Sequence, residues 1–206
     1  MTIWFTSDHH LGHKRIIELA NRPFSSVEEM DEEMIRRWNA RVARGDIVYH
    51  LGDFAFADHD PYLGRLKGQK FLAPGNHDHS NRVKRAKGWQ GVEKLMHITL
   101  PDGTPVVLCH YAMRVWNRPH HGAIHLYGHS HGNLPGDSQS CDVGVDCWDF
   151  AKRGESLKAI GRAFGKPSSS IYFQMRRKLL HFWLTAPRAR GGRVRSRGFL
   201  NVRCEV

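Results

Sequence analysis

The chain has 206 residues, with 31 Lys/Arg against 20 Asp/Glu, a formal net charge of +11 and 40% hydrophobic residues. That is enough for one domain with a sizeable core plus an appendage, and no apolar run approaches the length of a membrane span, which argues against a membrane protein. Residues 151–206 hold 14 of the Lys/Arg and 2 of the Asp/Glu, so residues 1–150 are nearly neutral at −1, while only His181 of the 15 histidines lies in the tail. Such asymmetry points to two segments with different histories or partners. Met1-Thr2-Ile3-Trp4 lacks the basic-then-apolar build of a signal peptide. Cys109, Cys141, Cys147 and Cys204 form no C-x-x-C pair and no zinc-finger spacing, so reduced thiols in a cytoplasmic protein are expected.

Thr2–Ser7 predicts a first strand, which ends at Asp8-His9-His10. A helix is predicted around residues 13–20. Ser26-Val27-Glu28-Glu29 has capping-box spacing, and Val27, Met30, Met34, Trp38 and Val42 recur every three or four residues. Together they predict a helix with one buried face running to about residue 43, broken by Gly45-Asp46. Ile47–Leu51 predicts the second strand, ending at Gly52-Asp53. A short helical or irregular piece over 61–66 leads to the third, Lys70–Ala73, which ends at Gly75-Asn76-His77-Asp78. Another helix is expected over 80–87. Residues 93–100 and 105–109, joined by Pro101-Asp102-Gly103, predict a hairpin whose second strand stops at His110. Ala123–Tyr127 is the next strand and stops at Gly128-His129-Ser130-His131, and Cys141–Val145 is a candidate last strand. Alternation of strands and helices, followed by hairpin strands, predicts an α/β layered domain with helices outside the sheets. Asp142 and Asp146 read as strand decoration, Trp148 as a packing residue and Cys109 as a small buried one.

The strand ends share a grammar: each short apolar run stops at Asp, Asn or His. In an extended chain positions i and i+2 point to one side, so Asp8 with His10, and His129 with His131, can each aim two ligands at one spot. Imidazole suits transition metals and carboxylate suits hard cations, so the mixture favours Mn, Fe, Zn, Ni or Co over Ca. The candidates Asp8, His10, Asp53, Asn76, His110, His129 and His131 are too many for one ion. A carboxylate shared between two ions resolves this, and Asp53 is the natural bridge. Paired metals about 3.5–4 Å apart recur in phosphate-ester hydrolysis. Any one of these stops, taken alone, reads as an ordinary turn or a solvated histidine. Their joint order is what carries weight.

Asp8-x-His10, Gly52-Asp53, Gly75-Asn76-His77-Asp78, His110 and Gly128-His129-Ser130-His131 resemble the ordered motifs of the calcineurin-like metallophosphoesterase superfamily. The likeness spans residues 1 to about 150 and is greatest to small, uncapped bacterial and phage-type members. It implies an α/β fold, an αββα sandwich of two mixed β-sheets flanked by helices, with a dinuclear site at the loops. It implies two divalent transition-metal ions, manganese first, with iron, zinc, nickel or cobalt as alternatives. Asp8, His10, Asp53 and His131 would hold one ion; Asp53, Asn76, His110 and His129 would hold the other. A metal-bridging hydroxide would attack phosphorus in a phosphodiester or phosphomonoester. His77 would act as general acid or phosphate stabiliser, and Asp78, where many members have Glu, would orient His77 or Asn76. Phe54-Ala55-Phe56 replaces the Arg that marks the Ser/Thr protein phosphatases, which speaks against that activity. His9, His13, Lys14, Arg15 and His50 flank the first motifs and read as loop charges. Arg118, His120 and His121 are the candidates for contact with the substrate phosphate.

The tail, 151–206, differs. Residues from about 153 to 174 resemble part of the helix-turn-helix of certain insertion-sequence transposases, a partial motif is expected over about 153–178, and the Arg/Gly-rich stretch beyond 186 is expected to be poorly ordered. A basic helix-turn-helix would bind DNA through phosphates, so a DNA-binding protein with the front domain as platform is the alternative function. We favour a fusion or frameshift origin for the tail, because the join after Trp148-Asp149-Phe150 is abrupt and Leu179–Leu184 would be an apolar run without a partner.

Overall fold

The structure is a computed structural model and describes residues 1–148. The 151–206 tail, with its expected helix-turn-helix at 153–178, and the side chain of Trp148 lie outside the described residues. Eight strands form two four-stranded sheets. The first has the order β1 (Ile3–Thr6), β2 (Ile47–His50), β3 (Gln69–Leu72), β4 (Trp89–Val92), and every neighbouring pair in it is parallel. The second has the order β5 (Leu95–Thr99), β6 (Pro105–Cys109), β7 (Ile124–Tyr127), β8 (Ser140–Asp142). Only its β5–β6 hairpin is antiparallel. Two mixed sheets were expected; one wholly parallel and one mixed sheet are found, because the helices α1 (Ile16–Leu19), α2 (Val27–Arg41), α3 (Asp60–Leu63) and α4 (Ser80–Arg85) all fall in the first half as crossovers.

Helix α2 starts where its sequence says it should. The Ser26 hydroxyl accepts the Glu29 N–H at 3.1 Å, while the Glu29 carboxylate reaches one residue further back, to the Ser25 N–H at 2.8 Å. Met30, Met34, Trp38 and Val42 are buried on the helix face turned to the sheet. They pack with Trp4 and Val48 of the first sheet and with Leu63 and Leu66, making the outer core. Strand alternation sends Phe5 and Leu51 the other way, against Met96, Val106, Leu108 and Leu126 of the second sheet. Each such fully buried side chain contributes about 1.5–3 kcal/mol. Strand β4 gives no sequence signal because Gly88 precedes it, Gly91 interrupts its four residues and no alternation survives; its pairing with β3 shifts register between Lys70 and Phe71.

The outer face of the second sheet, with Val107, His125 and Tyr127, carries the 111–122 loop. His125 pins that loop: its Nδ1 lies 3.1 Å from the Val107 carbonyl, and its Nε2 accepts the Met113 N–H at 3.0 Å. Trp116 lies beside the ring, with centroids 5.4 Å apart. The two sheets are tied at one corner by a parallel bridge between Ser7 and Gly144, with the Val145 N–H donating to the Ser7 carbonyl at 3.1 Å. That corner places the carboxyl ends of β1, β2, β3, β6 and β7 around one cleft, where open α/β sheets collect function.

Candidate metal centre

Two groups of ligand-type atoms, Asp8–His10–His131 and Asp53–His110–His129, each lie within 4.8 Å of one another. Asp53 links them: its Oδ2 is 3.6 Å from His10 Nε2 and 3.5 Å from His110 Nε2. Asn76 Oδ1 joins the second group, 3.1 Å from His110 Nε2. His77 stands at the rim, its Nε2 4.0 Å from Asp53 Oδ2, with a side chain 40% exposed. Its backbone N–H donates to Asp53 Oδ1 at 2.9 Å.

The aiming of these side chains does not follow the pleat. Of the seven non-glycine residues with positive φ among the described residues, five are Asp8, His10, Asp53, His129 and His131. Left-handed backbone of this kind costs about 1–2 kcal/mol per residue and gathers at functional sites. It also corrects the i, i+2 reading. His129 and His131 do not share a spot: each belongs to a different group, because the left-handed turns swing them apart. Close approach does the rest. A Cβ on Gly75 would lie 2.7 Å from His110 Nε2, and one on Gly128 would lie 2.6 Å from Asp8 Oδ2.

Whether a cation fits is decided by the protons. His110 Nδ1 is 2.7 Å from the Leu51 carbonyl, which can only accept, so in the neutral ring Nε2 carries a lone pair. That lone pair faces Asp53 Oδ2, another acceptor. Such atoms share a dry pocket only with a proton or a metal ion among them. At His10 both ring nitrogens are buried and make no hydrogen bond. Burial, with Arg22 and neighbouring imidazoles, holds its pKa down at about 2, so a proton does not satisfy it. Burial also pushes the Asp8 carboxyl up to about 7, against the Ser7 hydroxyl that donates to it at 2.6 Å. A divalent cation would hold the Asp8 carboxylate ionised and would take the lone pair of the neutral His10 ring. The donor set, imidazole and carboxylate with one amide oxygen, fits transition metals.

No family model matches the chain. Over 107 residues it is 38% identical to an uncharacterized protein of Methanocaldococcus jannaschii, aligned over 50% of this chain and 60% of that protein. It thus spans less than two thirds of that relative. The Gene 66 proteins of Mycobacterium phages L5 and D29 are 28% and 26% identical, over 70% and 71% of this chain and 86% and 88% of theirs. A protein of unknown function from Aquifex aeolicus has the same fold, with a TM-score of 0.58 at 22% identity, covering 72% of this chain and 92% of its own. A Streptococcus pneumoniae protein described as a predicted phosphoesterase overlaps at a TM-score of only 0.36, with 20% identity over 69% and 70% of the two chains.

Other sequence expectations resolve as follows. The hydrogen bonds found for Asp78 run to the backbone of the two loops. Its carboxylate accepts the backbone N–H groups of Asp53 at 2.7 Å, Phe54 at 3.0 Å and Gly75 at 2.9 Å, because the two loops crowd around it. Arg118, His120 and His121 are exposed, and their contacts run within their own turn: the Arg118 carbonyl accepts the His121 and Ala123 N–H groups, and the two imidazoles lie 4.2 Å apart. His9 and His50 are not loop charges but a buried pair joined at 2.9 Å. His13 stacks on Phe56 at 3.7 Å, and Phe56 in turn packs on His77 at 4.8 Å. On the other side Tyr111, 46% exposed, meets His110 and His129 edge-on.

Asp142 and Asp146 do more than decorate a strand. Asp142 accepts the Ser130 hydroxyl and the Gly132 N–H, bracing the 129–131 turn. Asp146 accepts His131 Nδ1–H at 2.6 Å. Arg22, absent from the sequence reading, lies between Asp146 and the first motif. An Asp-Arg pair 124 residues apart leaves no local signal.

No helix among the described residues is long and apolar enough to cross a membrane. Cys109, Cys141 and Cys147 are free thiols.

Proposed function

We propose that this protein is a dinuclear metal-dependent hydrolase of phosphate esters. The observation that carries the reading is Asp53 Oδ2, set 3.6 Å from a histidine of one group and 3.5 Å from a histidine of the other. A carboxylate oxygen so placed suits a bridge between two cations. Asp8, His10 and His131 would complete one coordination set, and Asn76, His110 and His129 the other. Bound divalent ions would supply Lewis acidity toward phosphoryl oxygens and a water-derived nucleophile near neutral pH.

The chain's own residues would do the rest. His110 is held by the Leu51 carbonyl with Nε2 inward, so it keeps its direction when the ester enters. His77 is the donor at the rim. It is open enough to reach a leaving-group oxygen and is held near Asp53 by its own backbone bond. Phe56 and Tyr111 flank the cleft, and the organic groups of an ester would pack against them.

The test uses the full chain, stripped of metal and resupplied with Mn²⁺, on an aryl phosphodiester and the matching monoester. Metal-dependent turnover is expected, falling about 10²–10⁴-fold in His77→Ala and further in Asp53→Asn. Turnover that persists in chelator, or that is unchanged in Asp53→Asn, would sink the proposal. The ratio of diester to monoester rates assigns the substrate class.

A further inference from the structure

Arg22 is 5% exposed and sits just after α1, in a segment with no motif. Its guanidinium is fully committed. Nε and Nη2 donate to the two oxygens of Asp146, each at 2.9 Å. Nη1 donates to the His9 carbonyl at 2.8 Å and Nη2 to the Asp8 carbonyl at 2.6 Å. Asp146 passes the contact on, since the same Oδ2 accepts His131 Nδ1–H at 2.6 Å. One buried cation therefore touches the turn that carries Asp8 and His10, and through Asp146 holds the histidine that completes their group.

We infer that Arg22, acting with Asp146, is the positioning residue for the Asp8–His10–His131 half of the centre. The inference rests on the metal reading above and adds a residue to it. Three physical points support it. The carbonyls that Arg22 holds belong to a turn with two left-handed residues, Asp8 and His10, which needs outside bonds to persist. The Asp146 bond takes the proton on His131 Nδ1 and leaves Nε2 as the ring atom with a lone pair to offer the group. Only a guanidinium offers planar donors in several directions, enough for one carboxylate and two carbonyls together. The other half is built differently. His110 is oriented by a backbone carbonyl and does not depend on Arg22. The effect of losing Arg22 is therefore expected to fall mainly on the Asp8–His10–His131 half, although the His129 N–H also donates to the Asp8 carboxylate, at 3.0 and 3.1 Å.

The experiment counts ions. Full-length protein and the variants Arg22→Met, Arg22→Lys and Asp146→Asn are stripped, titrated with Mn²⁺, freed of excess ion and analysed for metal per chain. Electron paramagnetic resonance reports coupled against isolated Mn²⁺. The parent chain is expected to hold two ions with a coupled signal. Arg22→Met and Asp146→Asn should keep one ion of parent affinity and bind the second about 10–100-fold more weakly, with the signal of an isolated ion. Arg22→Lys should not rescue, because an ammonium cannot make the paired contact. If Arg22→Met does not fold, Asp146→Asn, which preserves shape, decides by the same criterion. Two ions at parent affinity in the Arg22 and Asp146 variants would overturn this inference alone. Equal weakening of both ions would overturn its assignment to one half. A parent chain that binds no divalent metal would overturn the functional reading and this inference together.

Discussion

The Asp78 carboxylate accepts the backbone N–H of Asp53 at 2.7 Å, and with the same oxygen the N–H of Gly75 at 2.9 Å. Burial raises its pKa even against these bonds. Asp78 therefore ties the loop after β2 to the loop after β3, and its role is structural before it is chemical. Removing it leaves two buried donors, Asp53 and Phe54 N–H, and the part-buried Gly75 N–H without an acceptor, the buried ones each worth about 1–3 kcal/mol, though not additively. Asp78→Ala is expected to destabilise the metal-free protein by roughly 2–4 kcal/mol, read by urea unfolding in chelator. A role limited to orienting His77 would leave that stability unchanged and lower turnover alone.

The glycines beside the ligands give a second prediction. A methyl group on Gly75 would press on His110 and Asp53, and one on Gly128 on Asp8 and Ser7. Overpacking of this kind costs about 1–3 kcal/mol, and here the atoms displaced include the candidate ligands Asp53, His110 and Asp8. Gly75→Ala and Gly128→Ala should each weaken metal binding as well as stability. Gly45→Ala is the control, since nothing lies within 4 Å of the added carbon. Calorimetric titration with Mn²⁺, alongside unfolding curves, separates the two effects.

Much of this arrangement was legible in the sequence, and what was missed has a common cause. Helix α2 could be read because its cap and its apolar stripe are both local. The strand ends could be read because an apolar run stopping at Asp or His needs no partner to be noticed. The pairing of ligands could not be read from spacing. His129 and His131 separate because their backbones are left-handed, and no periodicity rule contains that. Likewise Arg22, His9 and His50 owe their roles to contacts across 41 to 124 residues. Sequence reads local order well, and the site is finished by distant contacts.

Buried neutral histidines make a third prediction. His125 donates from Nδ1 to a carbonyl and accepts at Nε2 from the Met113 N–H, a pattern open only to the neutral ring. Burial lowers its pKa, and lowers that of His59 to about 4. With the folded value below the free value of about 6.5, the unfolded chain takes the proton first as pH falls. The contribution of each ring is thus complete above pH 6.5 and is lost as pH falls from there toward the folded value. Asp8, Asp31 and Asp78, raised by burial, act in the opposite direction, so the measurement is a difference. The stability deficit of His125→Phe against the parent should shrink between pH 7.5 and 5.5 in chelator. A deficit independent of pH would mean that the ring titrates in the fold as it does in the unfolded chain, and a deficit that grew as pH fell would mean that the ring is charged in the fold.

The last prediction concerns what the centre costs when it holds no cation. Five left-handed residues, facing acceptors at Asp53 and His110, and a buried Asp8 carboxyl raised to about 7 all work against folding. Ligand binding to the folded state alone offsets such strain, by about 2.7 kcal/mol at a hundred times the dissociation constant. Mn²⁺ should therefore raise the melting temperature by several degrees, and chelator should reverse the gain. In Asp53→Asn the bridge loses its charge, so the gain should fall by at least half. The same substitution removes a carboxylate crowded among acceptors, and it should leave the chelated protein no less stable than the parent. A loss of stability in chelator together with an undiminished response to Mn²⁺ would show Asp53 to be a structural residue and not the link between the two groups.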